Sequence, residues 1–439
     1  MSRVKVVAIL AARPGKAEAL GTLLDGLIAP SRTEPGNLRY DLWPDQADPS
    51  RFVLDELHAG GDAVAAHRAS PNSRIVCPGS AVWPSVAPSR SIRSTRREAR
   101  TRTMALKDVI GSKLGFGAAP LGNMFRDIPE EEAHATVEAA WNDGIRYFDN
   151  APFYGAGLAE IRMGAALKGK PRDQYVISTK VGRIVLDELE HGPRDNGEKG
   201  TVFAHGRPNK VVNDYSADAT LRSIEDSLKR LQTDRIDIVW VHDIAQDFYG
   251  DDWLAMFDTA RTGAFRTLDR LRDEGVIKAW GLGVNRVEPI ELLLDLDEPR
   301  PDGSLLAGRY TLLDHSTALQ RLIPKVAERG LGIVVGGPYS SGALVGGPNF
   351  EYAPATPAIL DKVARIKAIA DRDGVSMKAA GLQFALANPA VAAVIPGASR
   401  PGRIAEDRAA LEENVPAAFW RDLRETGLVD PAAPVPILW

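Results

Sequence analysis

RYFDNAPFYG, residues 146–155, is an apolar, strand-like run that breaks into a polar turn closed by glycine. Two later segments repeat the design. YVISTK (175–180) ends on Lys180, and IDIVWVH (236–242) ends on His242. Continuous apolar strands bounded by turns mark a parallel sheet buried on both faces. The C-terminal ends of such strands share one face, and α/β folds build their sites there. Asp149, Tyr154, Lys180 and His242 are therefore predicted to converge. A carboxylate, a phenol, an ammonium and an imidazole together suit proton transfer.

The same alternation runs outward from these segments. LGFGAA (114–119) and a helical EEEAHATVEAAWNDG (130–144) precede them. KAWGLGV (278–284), LLAGRYTLL (305–313), GIVVGGPY (332–339) and VAAVIPGA (391–398) follow, each leading into a segment of helical period. Eight strand–helix units in about 330 residues predict a closed (β/α)8 TIM barrel over residues 107–439. An open doubly wound sheet is the alternative, weakened because no G-x-G-x-x-G follows a strand. One connection is long: residues 184–215 separate the third strand from its helix. A structureless loop of that length on the active-site face is expected to be a substrate lid.

The first 71 residues read as a separate unit. VKVVAILAA (4–12), KAEALGTLLDGLIAPSR (16–32), LRYDLWPD (38–45), RFVLDELHA (51–59) and DAVAAHRASP (62–71) give strand, helix, strand, strand, helix. That order predicts a small α+β domain of ferredoxin-like type. Residues 72–106 change character. Between Arg74 and Thr103 there are seven arginines against one acid, Glu98, among many Pro and Ser. Such a stretch buries too little apolar surface to order itself, so a disordered linker is expected. A nucleic-acid or anionic-lipid arm is the weaker reading, because a basic run alone is unspecific.

Bulk composition excludes other classes. The chain has 439 residues, 44% hydrophobic and 26% charged, with a net charge of −4. That composition is globular, and the charge gives no general attraction to nucleic acid or membrane. No apolar run approaches the length of a membrane span. The single cysteine, Cys77, allows no intrachain disulfide and no cysteine-based zinc site, which fits a cytoplasmic protein with no metal centre.

Each of the four residues has a plain reading when taken alone. Asp149 could cap a helix, Tyr154 could be a rim aromatic, and Lys180 and His242 simply end strands. Four proton-active groups at the ends of strands two, three and four outweigh those readings. A free phenol has a pKa near 10, and a neighbouring ammonium favours the phenolate. Lys180 is expected to supply that charge and Asp149 to hold Lys180. Nothing in the group accepts electrons, so redox chemistry needs a borrowed cofactor. IPGASRPGRIAED (395–407) runs from the last strand into a helix opening, where backbone N–H groups and the dipole favour an anion. Arg400 and Arg403 add positive charge, and GGPYSSG (336–342) offers a second Gly/Ser-rich loop. Two adjacent sites suit a pyrophosphate.

With DNAPFYG, STK, VHD, GLGVN and IPGASRPGRIAED in this order, the chain resembles the aldo-keto reductase family over about residues 110–430. The resemblance implies a barrel that binds NAD or NADP in extended form. It implies Asp149, Tyr154, Lys180 and His242 as the catalytic tetrad, with Tyr154 as general acid/base. It implies Asn285 at the nicotinamide amide, Pro338 and Ser340 in the pyrophosphate loop, and Arg403 and Asp407 at the adenosine end, and Gly397, Ser399 and Arg400 of the last loop are expected to bind cofactor with them. Many members have Lys-Ser where this chain has Gly397-Ala398, so strict NADP preference is not implied. Many also stack a tyrosine on the nicotinamide where this chain has Gly336, with Tyr339 nearby. Within the family, GFGAAPLGNMF (115–125), LAGRYTLLD (306–314) and GGPYSSGAL (336–344) resemble the aldose and pyridoxal dehydrogenases. Those oxidise a cyclic hemiacetal to a lactone, which implies a small carbonyl or sugar substrate.

Residues 34–71, EPGNLRYDLWPDQADPSRFVLDELHAGGDAVAAHRASP, resemble the antibiotic-biosynthesis monooxygenase family. That implies a ferredoxin-like domain, a homodimer formed through it, and His67 and Glu56 near its pocket. The family's last strand is expected to be missing after Ser73, and Met104 to be an older start of the reductase. Two rivals follow: an NAD(P)-binding regulatory barrel without turnover, and a bifunctional enzyme with a cofactor-free monooxygenase. The tail VDPAAPVPILW (429–439) is expected either to bring Trp439 to the barrel mouth or to hang loose.

Overall fold

The computed structural model describes residues 4–12, 15–44, 49–70, 104–190, 200–296 and 298–436. The expected linker, apart from its last residues, and Trp439 lie outside them. The chain divides into two compact units, Met1–Thr103 and Met104–Trp439.

In the first unit, strand β1 (Val4–Ala11), a helix (Ala17–Arg32), β2 (Asn37–Pro44), β3 (Arg51–His58) and a helix (Gly61–Ala69) follow in the expected order. The sheet order is β1-β3-β2, with β3 antiparallel to both neighbours. This is the split β-α-β arrangement of a ferredoxin-like domain. Period-two alternation along β3 buries Phe52, Leu54, Glu56 and His58 on one face. The long helix turns Leu20, Leu24 and Leu27 onto that face.

The second unit is a barrel of eight parallel strands. They are β4 (Phe116–Gly117), β5 (Tyr147–Asp149), β6 (Val176–Val181), β9 (Ile238–His242), β10 (Ala279–Val284), β11 (Gly303–Ala307), β12 (Gly332–Gly336) and β15 (Val391–Ile395), paired in chain order. Backbone bonds from Gly115 N–H to the Val394 carbonyl (2.9 Å) and from Gly117 N–H to the Pro396 carbonyl (3.1 Å) join the last strand to the first. The open-sheet alternative is thereby excluded. A short helix, Leu106–Ile110, opens this unit, and Leu106, Val109 and Ile110 are buried with Tyr147, Trp240 and Leu305. The barrel unit therefore takes in residues from Met104, just ahead of the boundary drawn from composition.

The long connection differs from expectation. It is not structureless: β7 (Arg183–Leu189) and β8 (Asn209–Asn213) form an antiparallel hairpin, with a 3-10 turn at Gly200–Phe203. The alternating apolar residues of IVL and VV allow a ladder that the polar tip between them conceals. After β12, two further short strands, β13 (Asn349–Phe350) and β14 (Ala353–Pro354), make a second small hairpin at the same rim. Among the described residues no helix is long and apolar enough to cross a membrane.

Candidate active site

Asp149 ends β5, Lys180 lies one residue before the end of β6, and His242 ends β9, so the parallel pairing lifts all three to one rim. Lys180 Nζ is 2.7 Å from Asp149 Oδ2 and donates to the Asn150 carbonyl at 2.8 Å. Ser178 Oγ donates to Asp149 Oδ1 at 2.6 Å and shares a 3.0 Å bond with the Tyr147 hydroxyl. Neither Ser178 nor Tyr147 was singled out from sequence, although strand alternation puts Ser178 two residues before Lys180 on the same face. Asp149, Lys180 and His242 are 2%, 1% and 5% exposed.

Tyr154 sits in the turn after β5, and glycines bring its loop close to two others. A Cβ at Gly122 would lie 2.5 Å from the Tyr154 carbonyl carbon, and one at Gly206 would lie 2.5 Å from the Gly155 Cα. Gly155 and Gly157 also need φ of 64° and 85°. The Lys180 ammonium lies 4.8 Å from the centre of the Tyr154 ring, and the His242 ring meets Tyr154 edge-on with centroids 5.9 Å apart. All four expected residues are thus brought together.

The electrostatics correct one expectation. Burial and the Asp149 charge push the Tyr154 phenol well above its ordinary pKa. Arg183 opposes that rise, and the Lys180 ammonium is paired with Asp149. Burial, together with the Lys180 and Arg183 cations, holds His242 well below its usual range. Burial raises the Asp149 carboxyl, opposed by Lys180. Tyr154 is therefore a protonated acid beside a neutral imidazole.

The pocket above them is walled by Met124, Phe153, Val202, Phe203, Phe248 and Tyr352, with Asp243 and Asn285 as polar members. Val202 and Phe203 come from the long connection, whose described residues are part of the wall. Tyr352 comes from the hairpin after β12 and also borders the adjoining groove. It is an aromatic on the seventh-strand loop that motif reading overlooked, since it lies far from Gly336 in sequence. Tyr339 instead turns inward and donates to Asp407 at 2.7 Å.

The adjoining groove, about 660 Å³, touches Asp149 and Tyr154 and runs past Gly336, Pro338 and Gly342 to Gly397, Ser399 and Arg403. Gly337, Gly342 and Gly346 adopt φ of 56°, 98° and 87°, so the loop presents backbone where side chains would crowd. Four expected cofactor residues are placed differently from the rest. Asn285 lies in the catalytic pocket, its Oδ/Nδ group 3.3 Å from Asp247. Ser340 is buried, 3.0 Å from the Thr311 hydroxyl. Asp407 is buried under Tyr339 and Lys378, behind the groove wall. Arg400 pairs with Glu406 at 3.2 Å on the surface. Arg126, like Arg403, lines the groove; it donates to the Ser399 carbonyl at 2.8 Å and pairs with Glu132 at 2.9 Å, contacts its isolated position in sequence did not reveal.

In the N-terminal unit, Glu56 Oε2 lies 3.0 Å from His58 Nε2 and 3.6 Å from His67 Nε2, and His67 Nδ1 is 2.5 Å from Glu34. His67 and Glu56 are thus neighbours, joined by His58 and Glu34.

A parallel eight-stranded barrel with this rim defines an α/β-barrel oxidoreductase, and residues 113–427 match the Aldo/keto reductase family. The chain belongs to that family. It is 38% identical over 333 residues to pyridoxal 4-dehydrogenase of Microbacterium luteolum, covering 72% of this chain and 94% of that one. It is 36% identical over 321 residues to D-threo-aldose 1-dehydrogenase of a Pseudomonas species, again covering 72% and 94%. Among solved structures, an aldo-keto reductase from Bacillus halodurans in its holo form superposes with a TM-score of 0.55 at 25% identity, covering 74% of this chain and 94% of that one. Residues 3–75 match the antibiotic biosynthesis monooxygenase family.

Proposed function

We propose that the barrel is an NAD(P)-dependent oxidoreductase of aldose 1-dehydrogenase type, acting on a sugar hemiacetal, an aldehyde or a related carbonyl/alcohol pair. The observation that carries this is the junction of two spaces at Tyr154: the apolar pocket holding His242 and the glycine-lined groove ending at Arg403. The groove fits an extended dinucleotide, with Gly337 and Gly342 leaving room for a pyrophosphate and Arg126 and Arg403 supplying cations at the far end. A bound nicotinamide supplies the two-electron acceptor or donor.

The chain's own residues handle the proton and the positioning. In the reducing direction Tyr154 gives its phenol proton to the substrate oxygen as hydride reaches the carbon. In the oxidising direction Tyr154 would first have to release its own proton; as the phenolate it would take the hydroxyl proton while hydride leaves the same carbon. Neutral His242 orients the oxygen by a hydrogen bond, and Lys180, fixed by Asp149, stabilises negative charge that develops on the phenol. The names of the two dehydrogenase relatives, for pyridoxal and for D-threo-aldoses, support the substrate class. The single cysteine supports a cytoplasmic setting.

The test is titration with NAD(H) and NADP(H) by nicotinamide fluorescence, followed by turnover of L-fucose, D-arabinose, pyridoxal and simple aldehydes. Cofactor binding with turnover is the expected result. Binding without turnover of any carbonyl would favour the regulatory rival.

A further inference from the structure

Asp243 follows His242 at the rim and is 4% exposed, yet it borders the catalytic pocket. Its φ of 51° is left-handed, a conformation uncommon outside glycine that clusters at functional sites. Its N–H donates to the Gly283 carbonyl at 3.0 Å, which fixes that turn. Arg183 Nη2 lies 3.0 Å from Asp243 Oδ2. Arg183 is itself 2% exposed, its guanidinium held 4.1 Å from the centre of the Phe153 ring and 4.4 Å from that of Phe248.

A buried ion pair contributes little net stability compared with apolar residues of the same volume. This one sits behind an otherwise largely apolar wall, where stability alone gives no reason for it. Asp243 Oδ2 is 3.4 Å from Nε2 of His242, the imidazole that orients the reacting oxygen in the reading above. An oxygen bound by that nitrogen would place an oxygen on the neighbouring carbon near the carboxylate.

Resting on that reading of His242 and Tyr154, we propose that Asp243 accepts a hydrogen bond from a hydroxyl on the carbon next to the reacting carbon. Arg183 is the positioning residue that holds the carboxylate. The site thereby selects α-hydroxy carbonyl compounds and their cyclic hemiacetals over simple aldehydes. The hydroxylated substrate gains a charge-assisted hydrogen bond that its analogue cannot make, so the two differ at the transition state.

The experiment compares kcat/KM on the full chain for matched pairs: lactaldehyde against propanal in reduction, D-arabinose against 2-deoxy-D-ribose in oxidation. The wild type is expected to prefer the hydroxylated member by about 100-fold or more. The double variant Arg183→Leu/Asp243→Leu removes both charges together, and its preference is expected to fall to about threefold or less. Asp243→Asn keeps the shape and a weaker acceptor, and its preference is expected to fall about tenfold. The Asn variant decides the matter if the double variant does not fold. A wild type with no preference, or variants that retain it, would overturn the proposal. So would equal losses on both members of a pair with cofactor binding intact, since Asp243 would then act on His242 and not on substrate. Turnover of simple aldehydes without preference sinks this proposal alone; no turnover of any carbonyl sinks the oxidoreductase reading with it.

Discussion

Lys180 Nζ is held 2.7 Å from Asp149 Oδ2, and the two side chains are almost wholly withdrawn from solvent. Removing one partner of such a pair strands a buried charge, at a cost of about 3–5 kcal/mol, whereas removing both is far less harmful. Lys180→Met and Asp149→Asn are each expected to lower the thermal midpoint. The double variant is expected to recover most of that loss in a melting experiment while remaining inactive. A double variant as unstable as the worse single one would refute the pairing.

Tyr154 borders both the pocket and the groove and lies beside Lys180 and His242. Tyr154→Phe is expected to lower kcat by about 100-fold or more, the usual weight of a positioned acid. The affinity for nicotinamide cofactor should stay within about threefold, because the ring and its packing are retained. Stopped-flow turnover and fluorescence titration separate the two quantities.

His242 is expected to give stability a pH dependence with a definite sign. Its folded pKa is depressed well below 6.5, so at acidic pH the unfolded chain takes up a proton that the folded chain refuses. Stability from this group is therefore full above pH 6.5 and falls as pH drops below it. His242→Gln removes that slope. The difference in denaturation midpoint between wild type and variant should shift in the variant's favour between pH 8 and pH 5.5. Parallel curves would show that the folded and unfolded chains take up the His242 proton alike.

Gly122 and Gly206 allow the loop of Tyr154 to lie against two neighbouring loops. Gly122→Ala is expected to displace Tyr154, and a displacement on the order of 1 Å can cost about 100-fold in rate. Circular dichroism should show the barrel retained. An active Gly122→Ala enzyme would mean that the loop gives way elsewhere.

Arg126 and Arg403 face the far end of the groove, while Arg400 is turned to Glu406. Arg403→Ala is expected to raise KM for NADP by about tenfold and that for NAD by no more than about threefold, the difference being one charge-assisted contact to a phosphate. Arg400→Ala is expected to change neither by more than about twofold, as befits an exposed pair. Kinetics with both cofactors check the contrast.

The strands and their rim residues were readable in the chain because the barrel strands are largely apolar runs, and three of them end on or next to Asp149, Lys180 and His242. That local pattern placed Asp149, Lys180 and His242 on one face before any contact was known. It also separated the N-terminal unit, whose alternation has period two. What sequence did not determine depends on partners distant along the chain. Arg183 meets Asp243, and Arg126 meets Ser399, across gaps that no periodicity encodes. The ladder of β7 with β8 was masked by the polar stretch between them. The charge state of Tyr154 also waited on the fold: the sequence puts a lysine near it, but only packing decides that Asp149 takes up that lysine's charge and that burial keeps the phenol protonated. Periodicity and strand-end chemistry are properties of neighbours in sequence. Desolvation and ion pairing are properties of neighbours in space.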